Sequence, residues 1–439
     1  MGSYSSHVTI GLVTAPFSVR QRVAVCVLAI AGSSLAFFPP QVPENAPQNA
    51  KAQQNKPYVL IIGIDGMRYD YAERFGAKNL LALRERGSSS EALIPSFPSS
   101  TFPNFFTLAT GLRPQNHGIV GMRFYDPDVG QEFFYQKTAP EGHWYSGSPI
   151  WSLAEQQGMR TAAFYWPGSE AEIQGFRPTY FRTYDGSVSH ETRVRQVLQW
   201  LSLPEASRPH FVMLYFSDVD TAAHAHGPDS EEVRTAVAVV DNTIGGLLGS
   251  LQAIRPEVNV IVVSDHGLEN CRNYIDITDD ADLSAFQVVN QTTHAMLYSE
   301  DPARVERTYQ QLRRKAKGRY LVYRRDETPR DLHFRRNRKI GDIVVIPVKP
   351  EAIGVRSETN TAAHMSAFKP GKGCHGFDAK RVPNMRGVFY AAGPQIRSGV
   401  RLRPIENVEV FPLLTTILGL EAPDKVDAKG ILPPQLYLE

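Results

Sequence analysis

The chain has 439 residues, 42% hydrophobic and 21% charged, a composition that excludes a disordered chain, a coiled coil and a collagen-like fibre. The 47 Lys and Arg residues nearly balance 45 Asp and Glu, and a net charge of +2 argues against a dedicated nucleic-acid-binding protein. Three cysteines are too few for a disulfide scaffold or a zinc module built on cysteine ligands.

The N-terminal segment, residues 1–36, has the pattern of a secretory signal peptide. Arg20 and Arg22 precede a short apolar run, and a small-residue site follows at Ser34-Leu35-Ala36. The apolar run is shorter than the ~20 residues that a membrane-spanning helix needs. We therefore expect a secreted or periplasmic protein, with an uncleaved N-terminal membrane anchor as the alternative.

Residues 37–56 are rich in Pro, Ala, Gln and Asn and are predicted to be a linker, so that folded structure begins at Tyr58. Apolar, β-branched runs beyond it have the length of buried parallel strands. The predicted strands are Tyr58–Asp65, Thr161–Trp166, His210–Asp220, Val258–Asp265 and Gly387–Ala392. The predicted helices between them are Asn79–Arg86, Glu191–Leu201 and Ser230–Ile254. This alternation predicts an α/β fold with a mostly parallel sheet covered by helices on both faces.

The composition changes near Asp280, where an inserted α+β cap is predicted over residues 281–371. The core would then consist of residues 57–280 and 372–439. The predicted elements of the cap are a helix, Pro302–Lys317, and two strands, Tyr320–Arg324 and Gly341–Pro347. Twelve Lys and Arg between positions 313 and 339 either attract polyanionic substrates or form a solvated face, and the solvated face is the commoner case.

Carboxylates and histidines close three of the predicted strands. They are Asp65 at the end of the first, Asp218 and Asp220 at the end of the third, and Asp265 with His266 at the end of the fourth. Each one singly has an ordinary explanation, such as capping the next helix. The carboxyl ends of parallel strands share one edge of a sheet, however, and clustered carboxylates require a neutralising cation. With His224 and His375 they form an oxygen and nitrogen ligand set suited to zinc or a similar divalent ion.

A hydroxyl nucleophile is available in Ser99, Ser100 and Thr101, which immediately precede an apolar helix. A hydroxyl at a helix N-terminus lies at the positive end of the helix dipole, where backbone amides can also hold an anion. An ordinary Ser or Thr N-cap is the alternative explanation for each of them.

Together these segments resemble the nucleotide pyrophosphatase/phosphodiesterase family of the alkaline phosphatase superfamily, from Tyr58 to about Leu418, in a bacterial-type secreted form. The motifs are Gly-Ile-Asp65-Gly-Met-Arg, Thr101-Phe-Pro-Asn-Phe, Trp166-Pro-Gly-Ser-Glu, Asp220-Thr-Ala-Ala-His224-Ala-His-Gly-Pro, Ser-Asp265-His266-Gly and His375-Gly-Phe-Asp378. The resemblance implies an alkaline-phosphatase-like three-layer sandwich and a hydrolase with two Zn²⁺ per chain.

The resemblance also implies a role for each matching residue. Thr101 matches the nucleophile and, with Asp65, Asp265 and His266, the ligands of one zinc. The second zinc would be held by Asp220, His224 and His375; the spacing to Gly227-Pro228 selects His224 over His226. The implied chemistry is two-metal in-line displacement at phosphorus through a phosphothreonine intermediate.

On the substrate side, Phe102 and Tyr184 match positions that sandwich a nucleobase, with core packing as the alternative. Met122 stands where the family usually has a side-chain amide that holds a phosphoryl oxygen. A thioether cannot donate a hydrogen bond, so Arg123 or a backbone amide would have to replace it.

The predicted function is therefore a metal-dependent phosphodiesterase/nucleotide pyrophosphatase acting on a small nucleotide substrate, with no nucleic-acid or stable protein partner expected. A phosphomonoesterase that uses Arg123, a lipid-headgroup (choline-type) phosphodiesterase and an inactive binding protein on the same fold are the alternatives. Cys271 and Cys374 both lie near implied ligands, and two unpaired thiols are the favoured interpretation over a disulfide.

Overall fold

The computed structural model of the chain describes residues 47–254, 256–356 and 371–438. The predicted signal peptide and residues 37–46 of the predicted linker lie outside the described residues. Within the described ranges, no helix combines the length and the apolar character that crossing a membrane requires.

Residues 47–56 belong to the fold, so the prediction that folded structure begins at Tyr58 is wrong. The Asn49 side chain is 4% exposed, and its amide donates to the Arg208 carbonyl at 2.8 Å. Its Oδ1 accepts the Arg160 N–H at 2.7 Å. A 3₁₀ turn, Lys51–Gln53, follows. The polar composition that suggested a tether instead satisfies backbone groups of two loops, because an amide side chain both donates and accepts.

The central sheet has eight strands in the described chain, and seven of them run in the same direction. Their order is Arg401–Leu402, Ser88–Ser90, Phe389–Ala392, Val258–Val263, Tyr58–Ile64, Phe211–Phe216, Thr161–Phe164 and Tyr180–Arg182. The strand Phe389–Ala392 is antiparallel to both of its neighbours. The prediction of a mostly parallel sheet is confirmed.

The strand Tyr58–Ile64 occupies the middle of the sheet and is buried along its whole length. It pairs in parallel with Phe211–Phe216 on one side and Val258–Val263 on the other. Such strands are continuous apolar runs because both faces of the sheet are covered. Since the three strands are in register, the residues that follow them meet at one edge of the sheet.

The strand Phe211–Phe216 ends earlier than the predicted strand His210–Asp220. A helix, Asp218–His226, begins two residues after it, so Asp218 and Asp220 lie in the first helical turn. Acidic side chains are favoured there by the helix dipole. Asp220 and His224 are then one turn apart on the same side of this helix.

The helices of the described chain are Tyr71–Phe75, Lys78–Arg86, Thr101–Thr110, Pro114–His117, Ile150–Gln156, His190–Leu201, Asp218–His226, Glu231–Leu251, Pro302–Ala316, Val410–Leu418 and Leu432–Leu436. The helix Glu231–Leu251 packs with its neighbours in one layer, and Thr101–Thr110 packs with Ile150–Gln156 and Val410–Leu418 in another. The sheet lies between the two layers. The predicted starts of the helices His190–Leu201 and Glu231–Leu251 lie within one residue of the observed starts. Ser189 and Ser230, which cap these helices, mark the starts in the sequence.

The inserted segment contains a four-stranded antiparallel sheet with the helix Pro302–Ala316 packed on it. Its strands, in order, are Gln287–Asn290, Ala295–Tyr298, Ile343–Pro347 and Tyr320–Arg324. The first two had not been predicted, because they are four residues long and the first begins and ends with polar side chains. One face of this sheet forms an apolar cluster with the helix, whereas residues of the other face, such as Met296 and Val344, belong to the core of the main sheet.

Short strand pairs complete the fold. They are Glu269–Cys271 with Lys372–Cys374, Tyr274–Asp276 with Ala352–Gly354, Leu93–Ile94 with Ile405–Glu406, and the hairpin Arg123–Asp126 with Gln131–Phe134. The remaining 3₁₀ turns are Gly142–Trp144, Ile277–Asp279, Arg325–Glu327, Arg330–Leu332, Pro383–Met385 and Asn407–Glu409.

Acidic partners neutralise much of the basic run of the inserted segment. Arg319 pairs with Asp280 at 2.6 Å, and Arg325 pairs with Asp342 at 3.1 Å. Arg324 contacts both Glu306 and Glu327. These partners favour a solvated, ion-paired face over a surface that attracts polyanions.

Candidate metal centre

Four elements bring the predicted ligands to one edge of the central sheet. Asp65 follows the strand Tyr58–Ile64, and Asp265 with His266 follows Val258–Val263. Asp220 and His224 project from the helix Asp218–His226, and His375 follows the short strand Lys372–Cys374. All six side chains lie within two neighbouring clusters.

The first cluster surrounds the His266 ring. Its Nε2 lies 3.0 Å from Asp265 Oδ2 and 3.4 Å from Asp65 Oδ1. The same Nε2 is 3.3 Å from Thr101 Oγ1. These four residues are the set that the resemblance implies for one cation.

The second cluster contains Asp220, His224 and His375. His224 Nε2 lies 3.3 Å from Asp220 Oδ1 and 3.1 Å from His375 Nε2. His375 Nε2 is 3.7 Å from the same Asp220 oxygen. The His375 ring also stacks on His266 with 3.7 Å between centroids, so the two clusters adjoin.

Backbone carbonyls orient all three imidazoles. His224 Nδ1 lies 2.9 Å from the Gly373 carbonyl oxygen, and His266 Nδ1 lies 3.0 Å from that of Gly267. His375 Nδ1 lies 3.0 Å from the Ser99 carbonyl oxygen. This network assigns the proton to Nδ1, because only an N–H can donate to a carbonyl. Each Nε2 lone pair then faces the centre, as in histidines that bind metals.

One oxygen of each carboxylate is buried there without a hydrogen bond. These atoms are Asp65 Oδ1, Asp220 Oδ1 and Asp265 Oδ2. The second oxygen of Asp65 accepts from the Tyr215 hydroxyl at 2.5 Å, and that of Asp265 accepts the Gly66 N–H at 3.2 Å. Buried oxygens without partners are costly, so this donor set fits divalent cations.

The protonation equilibria agree with a cation requirement. Burial and the neighbouring carboxylates raise the pKa of Asp65 well above its ordinary value and that of Asp265 to about 8. Burial also raises the pKa of Asp220, but the charge of His224 outweighs it and leaves that pKa below the ordinary value. Burial lowers the pKa of His375 to about 4, which leaves its imidazole neutral and able to bind a metal.

Neighbouring ion pairs separate the ligands from similar residues beside them. Asp218 lies 3.0 Å from His190 Nε2, and His226 lies 3.5 Å from Glu232. Both therefore have partners away from the clusters, in agreement with the choice of Asp220 and His224.

Thr101 is the first residue of the helix Thr101–Thr110 and is the hydroxyl that contacts the first cluster. Ser99 Oγ instead donates to the Phe377 carbonyl at 2.5 Å. The N-cap, Ser100, makes no side-chain capping bond, and the Asn104 amide donates to its carbonyl at 2.9 Å. Of these three hydroxyls, only that of Thr101 lies beside the first cluster.

The Met122 sulfur lies directly in front of this helix N-terminus. The Phe102 N–H donates to Met122 Sδ at 3.3 Å. The Arg123 guanidinium is bound by Glu132, with Nη2 at 2.6 Å from Oε2. Arg123 is therefore neutralised within its hairpin. The Met122 thioether accepts the hydrogen bond of the backbone amide that follows Thr101.

The two aromatic residues predicted to contact a nucleobase differ in their surroundings. Phe102 packs against Tyr135 and Phe133, with ring centroids 5.6 and 6.1 Å away. Tyr184 is 50% exposed, and its hydroxyl lies 3.2 Å from Ser217 Oγ. The exposed Tyr184 ring is free to stack on a ligand, whereas Phe102 is partly used in packing.

Sequence reasoning missed two features of the centre. Tyr215 looked like one more core residue of an apolar strand, although its hydroxyl contacts Asp65. Cys271 and Cys374 form a disulfide with Cα atoms 6.0 Å apart, so the favoured interpretation of two unpaired thiols is wrong. Their strands are antiparallel neighbours, which brings the Cα atoms within bonding range.

Comparison with known proteins gives a family. Residues 59–378 match the family model for type I phosphodiesterase / nucleotide pyrophosphatase. Human ectonucleotide pyrophosphatase/phosphodiesterase family member 1 is 33% identical over 393 residues, 86% of this chain and 41% of its own length. An uncharacterised pyrophosphatase/phosphodiesterase of Schizosaccharomyces pombe is also 33% identical, over 85% of this chain and 80% of its length.

Further relatives extend the comparison to venom proteins and to solved structures. A venom phosphodiesterase of Crotalus durissus collilineatus is 32% identical over 83% of this chain and 44% of its length. The chain thus spans less than half the length of the human and venom relatives.

The structure of murine ectonucleotide pyrophosphatase/phosphodiesterase 5 has a TM-score of 0.79 at 26% identity, covering 86% of this chain and all of that one. An inactive variant of that murine protein in complex with AMP also has a TM-score of 0.79 at 26% identity, covering 87% of this chain and all of that one. These matches confirm the alkaline-phosphatase-like α/β fold, and the chain belongs to the type I phosphodiesterase / nucleotide pyrophosphatase family.

Proposed function

We propose that the protein is a metal-dependent phosphodiesterase/nucleotide pyrophosphatase with Thr101 as nucleophile. One observation carries the proposal: three carbonyl-oriented imidazoles and three buried carboxylate oxygens without hydrogen bonds converge beside the Thr101 hydroxyl. Family membership supports hydrolysis of phosphodiester or pyrophosphate bonds by this centre.

The donor set supports two Zn²⁺ per chain. Asp65, Asp265 and His266, with Thr101, would hold one ion, and Asp220, His224 and His375 would hold the other. Mixed imidazole and carboxylate ligands suit zinc, whereas Mg²⁺ and Ca²⁺ prefer oxygen alone. When bound, such ions lower the pKa of a coordinated hydroxyl and neutralise charge that develops on phosphoryl and leaving oxygens.

The chain itself supplies the nucleophile and its alignment. Thr101 gives up its hydroxyl proton to solvent and its oxygen attacks phosphorus. The bond to the leaving oxygen breaks, the leaving group departs with a proton from solvent, and a phosphothreonine forms. Water then attacks the phosphothreonine, the bond between phosphorus and the Thr101 oxygen breaks, the phosphoryl product leaves, and Thr101 recovers its proton. The helix Thr101–Thr110 fixes the hydroxyl at its N-terminus, where its dipole favours the developing negative charge.

A nucleotide is the substrate class that the surroundings favour. The Tyr184 ring is half exposed near the end of the strand that carries Tyr215, and its centroid is 6.3 Å from that of Tyr215. The AMP complex of the murine relative supports a nucleotide for this fold. We propose that a base stacks between Tyr184 and Phe102.

The charges around the centre favour a phosphodiester substrate over a phosphomonoester. A monoester carries an additional negative charge, and Arg123, the cation considered for it, is paired with Glu132. The lipid-headgroup alternative would use the same metals and differ in the pocket.

The disulfide supports secretion or a periplasmic location, because such bonds persist in oxidising compartments.

The test compares hydrolysis of a nucleoside 5′-monophosphate p-nitrophenyl ester with that of p-nitrophenyl phosphate and p-nitrophenyl phosphorylcholine, with zinc and after chelation. We expect the nucleotide diester to have the highest kcat/KM and chelation to abolish turnover. His224→Ala should lose activity, whereas the matched variant His226→Ala, from the same helix, should keep it. A zinc-independent rate, or a preference for the monoester or the choline ester, would contradict the proposal.

A further inference from the structure

We infer that Tyr215 is a positioning residue for the metal centre, whose hydroxyl orients the Asp65 carboxylate so that its other oxygen faces the cation. The inference rests on the proposed function in one respect, the presence of a divalent cation beside Asp65, Asp265 and His266. Tyr215 acts through Asp65.

The contacts of Asp65 carry the inference. The Tyr215 hydroxyl donates to Asp65 Oδ2 at 2.5 Å. Asp65 Oδ1 is buried without a hydrogen bond and lies 3.4 Å from His266 Nε2. The two oxygens of a carboxylate are chemically equivalent, so a hydrogen bond to one of them decides which oxygen is presented to the metal. Metal-binding carboxylates are commonly held in this way.

The sheet and the helix of the nucleophile hold Tyr215 in turn. Tyr215 is opposite Gly63 in the neighbouring parallel strand, two positions before Asp65. A Cβ at Gly63 would come within 2.4 Å of the Phe105 ring, so the glycine leaves room for that ring. Phe105 belongs to the helix that begins at Thr101, and its ring meets Tyr215 edge-on at 5.3 Å. Tyr215 therefore links the nucleophile's helix to a metal ligand.

Tyr145 provides a matched control for removal of one hydroxyl. Both tyrosines are 7% exposed, and Tyr145 donates to the Ala139 carbonyl at 2.7 Å. Its ring packs against Phe106, the next residue of the same helix, at 4.9 Å. Tyr215→Phe and Tyr145→Phe each delete one buried hydrogen bond beside this helix, but only Tyr215→Phe leaves Asp65 without its donor.

The experiment measures zinc release from the loaded enzyme into an excess of chromogenic chelator. We expect Tyr215→Phe to release one of its two ions about 10–100-fold faster than wild type, the range typical of lost outer hydrogen bonds. Tyr145→Phe should release both ions at the wild-type rate. Wild-type release from Tyr215→Phe, or equal acceleration in both variants, would overturn the inference.

A second pair of variants decides the question if Tyr215→Phe does not fold. Tyr215→Gln and Tyr215→Met have similar lengths and both lack the ring, but only Gln keeps a donor for Asp65. Slower zinc release from Tyr215→Gln than from Tyr215→Met supports the inference, and equal release rates in the two variants overturn it. A wild-type protein that takes up no divalent cation would overturn the proposed function together with this inference, whereas a loaded wild type with an unchanged Tyr215→Phe overturns only the role of Tyr215.

Discussion

Cys374 is joined to Cys271 by a disulfide and directly precedes His375, so the bond lies one residue from a proposed ligand of the second cluster. The same short strand, Lys372–Cys374, orients His224 through the Gly373 carbonyl. It pairs with only three residues, Glu269–Cys271. Two of the three histidines of the centre therefore depend on a strand that the disulfide holds in place.

We expect reduction of this bond to weaken zinc retention, because the strand that precedes His375 and orients His224 then loses its covalent link to Glu269–Cys271 and keeps only noncovalent contacts. Zinc release from the Cys271→Ser, Cys374→Ser double variant should be roughly 10-fold faster or more, by analogy with lost outer contacts of metal ligands. The measurement is release into a chelator, with thiol titration of the unfolded wild type as a check on the bond itself.

A control must separate this effect from general destabilisation, since losing a native disulfide typically costs about 2–5 kcal/mol. Val237→Ala empties a buried position of the helix Glu231–Leu251, which supplies no residue to the disulfide-linked strand pair or to the candidate metal groups. If Val237→Ala accelerates zinc release as much as the double serine variant, the disulfide has no specific role at the centre.

Thr101→Ala should abolish turnover and leave both ions bound. The hydroxyl is the proposed nucleophile, whereas the six carboxylate and imidazole ligands remain. We expect a loss of roughly 10³-fold or more in kcat, as for other nucleophile deletions, with unchanged zinc content. Ser100→Ala is the neighbouring control and should stay near wild type. Activity retained in Thr101→Ala and lost in Ser100→Ala would reassign the nucleophile.

The central sheet was predictable because it depends on local pattern, and the same pattern marks the proposed ligands. Strands such as Tyr58–Ile64 are unbroken apolar runs, and the polar residue that ends such a run is conspicuous, as Asp65 and Asp265 are. The clusters form because register between parallel strands brings those ends together.

What the sequence could not predict depends on pairings between distant positions. The Tyr215 hydroxyl meets a carboxylate 150 positions away, and an apolar strand gives no sign of it. The disulfide depends on how two short strands meet across a separation of 103 residues. Asn49 was misassigned for the same reason, because its backbone partners are loops far along the chain.

In the metal-free protein, we expect the free energy of unfolding to fall as the pH rises from about 6.5 to 8. Burial and the charge of Asp220 raise the pKa of Asp265 to about 8, against ~3.9 in an unfolded chain. The folded state thus keeps a proton that the unfolded state has released, and that stability is lost as the pH approaches the folded pKa. His224, with a pKa raised by Asp220, acts in the same direction. His375 and His266, whose pKa values are lowered by burial, oppose this trend mainly at and below about pH 6.5, where an unfolded histidine takes up a proton.

Urea unfolding of chelated protein at the two pH values measures this effect. We expect a loss of at least about 1–2 kcal/mol at the higher pH from the Asp265 proton alone, and Asp65, whose pKa is also raised, adds to the loss. Asp265→Asn cannot titrate and should show a smaller loss. Equal stability of the chelated wild type at both pH values would contradict the prediction.

The Met122 sulfur accepts the Phe102 N–H at 3.3 Å beside the proposed nucleophile. A thioether is a weak acceptor and cannot donate, so a phosphoryl oxygen there gains nothing from this side chain. Met122→Asn introduces an amide donor at the same place, and we expect turnover of a nucleotide diester to rise about 10-fold or more, given what single donors contribute to other phosphoryl and acyl oxyanion sites. Met122→Leu removes the sulfur without adding a donor, and its turnover should stay near that of the wild type. This variant also frees the Phe102 N–H, so it separates the effect of the new Asn donor from the effect of losing the sulfur as the acceptor of that N–H. An unchanged or lower rate in Met122→Asn would mean that another group already holds the oxygen. Arg123→Ala is then the next variant, and because Glu132 neutralises Arg123 at 2.6 Å, we expect that variant to leave the rate unaffected.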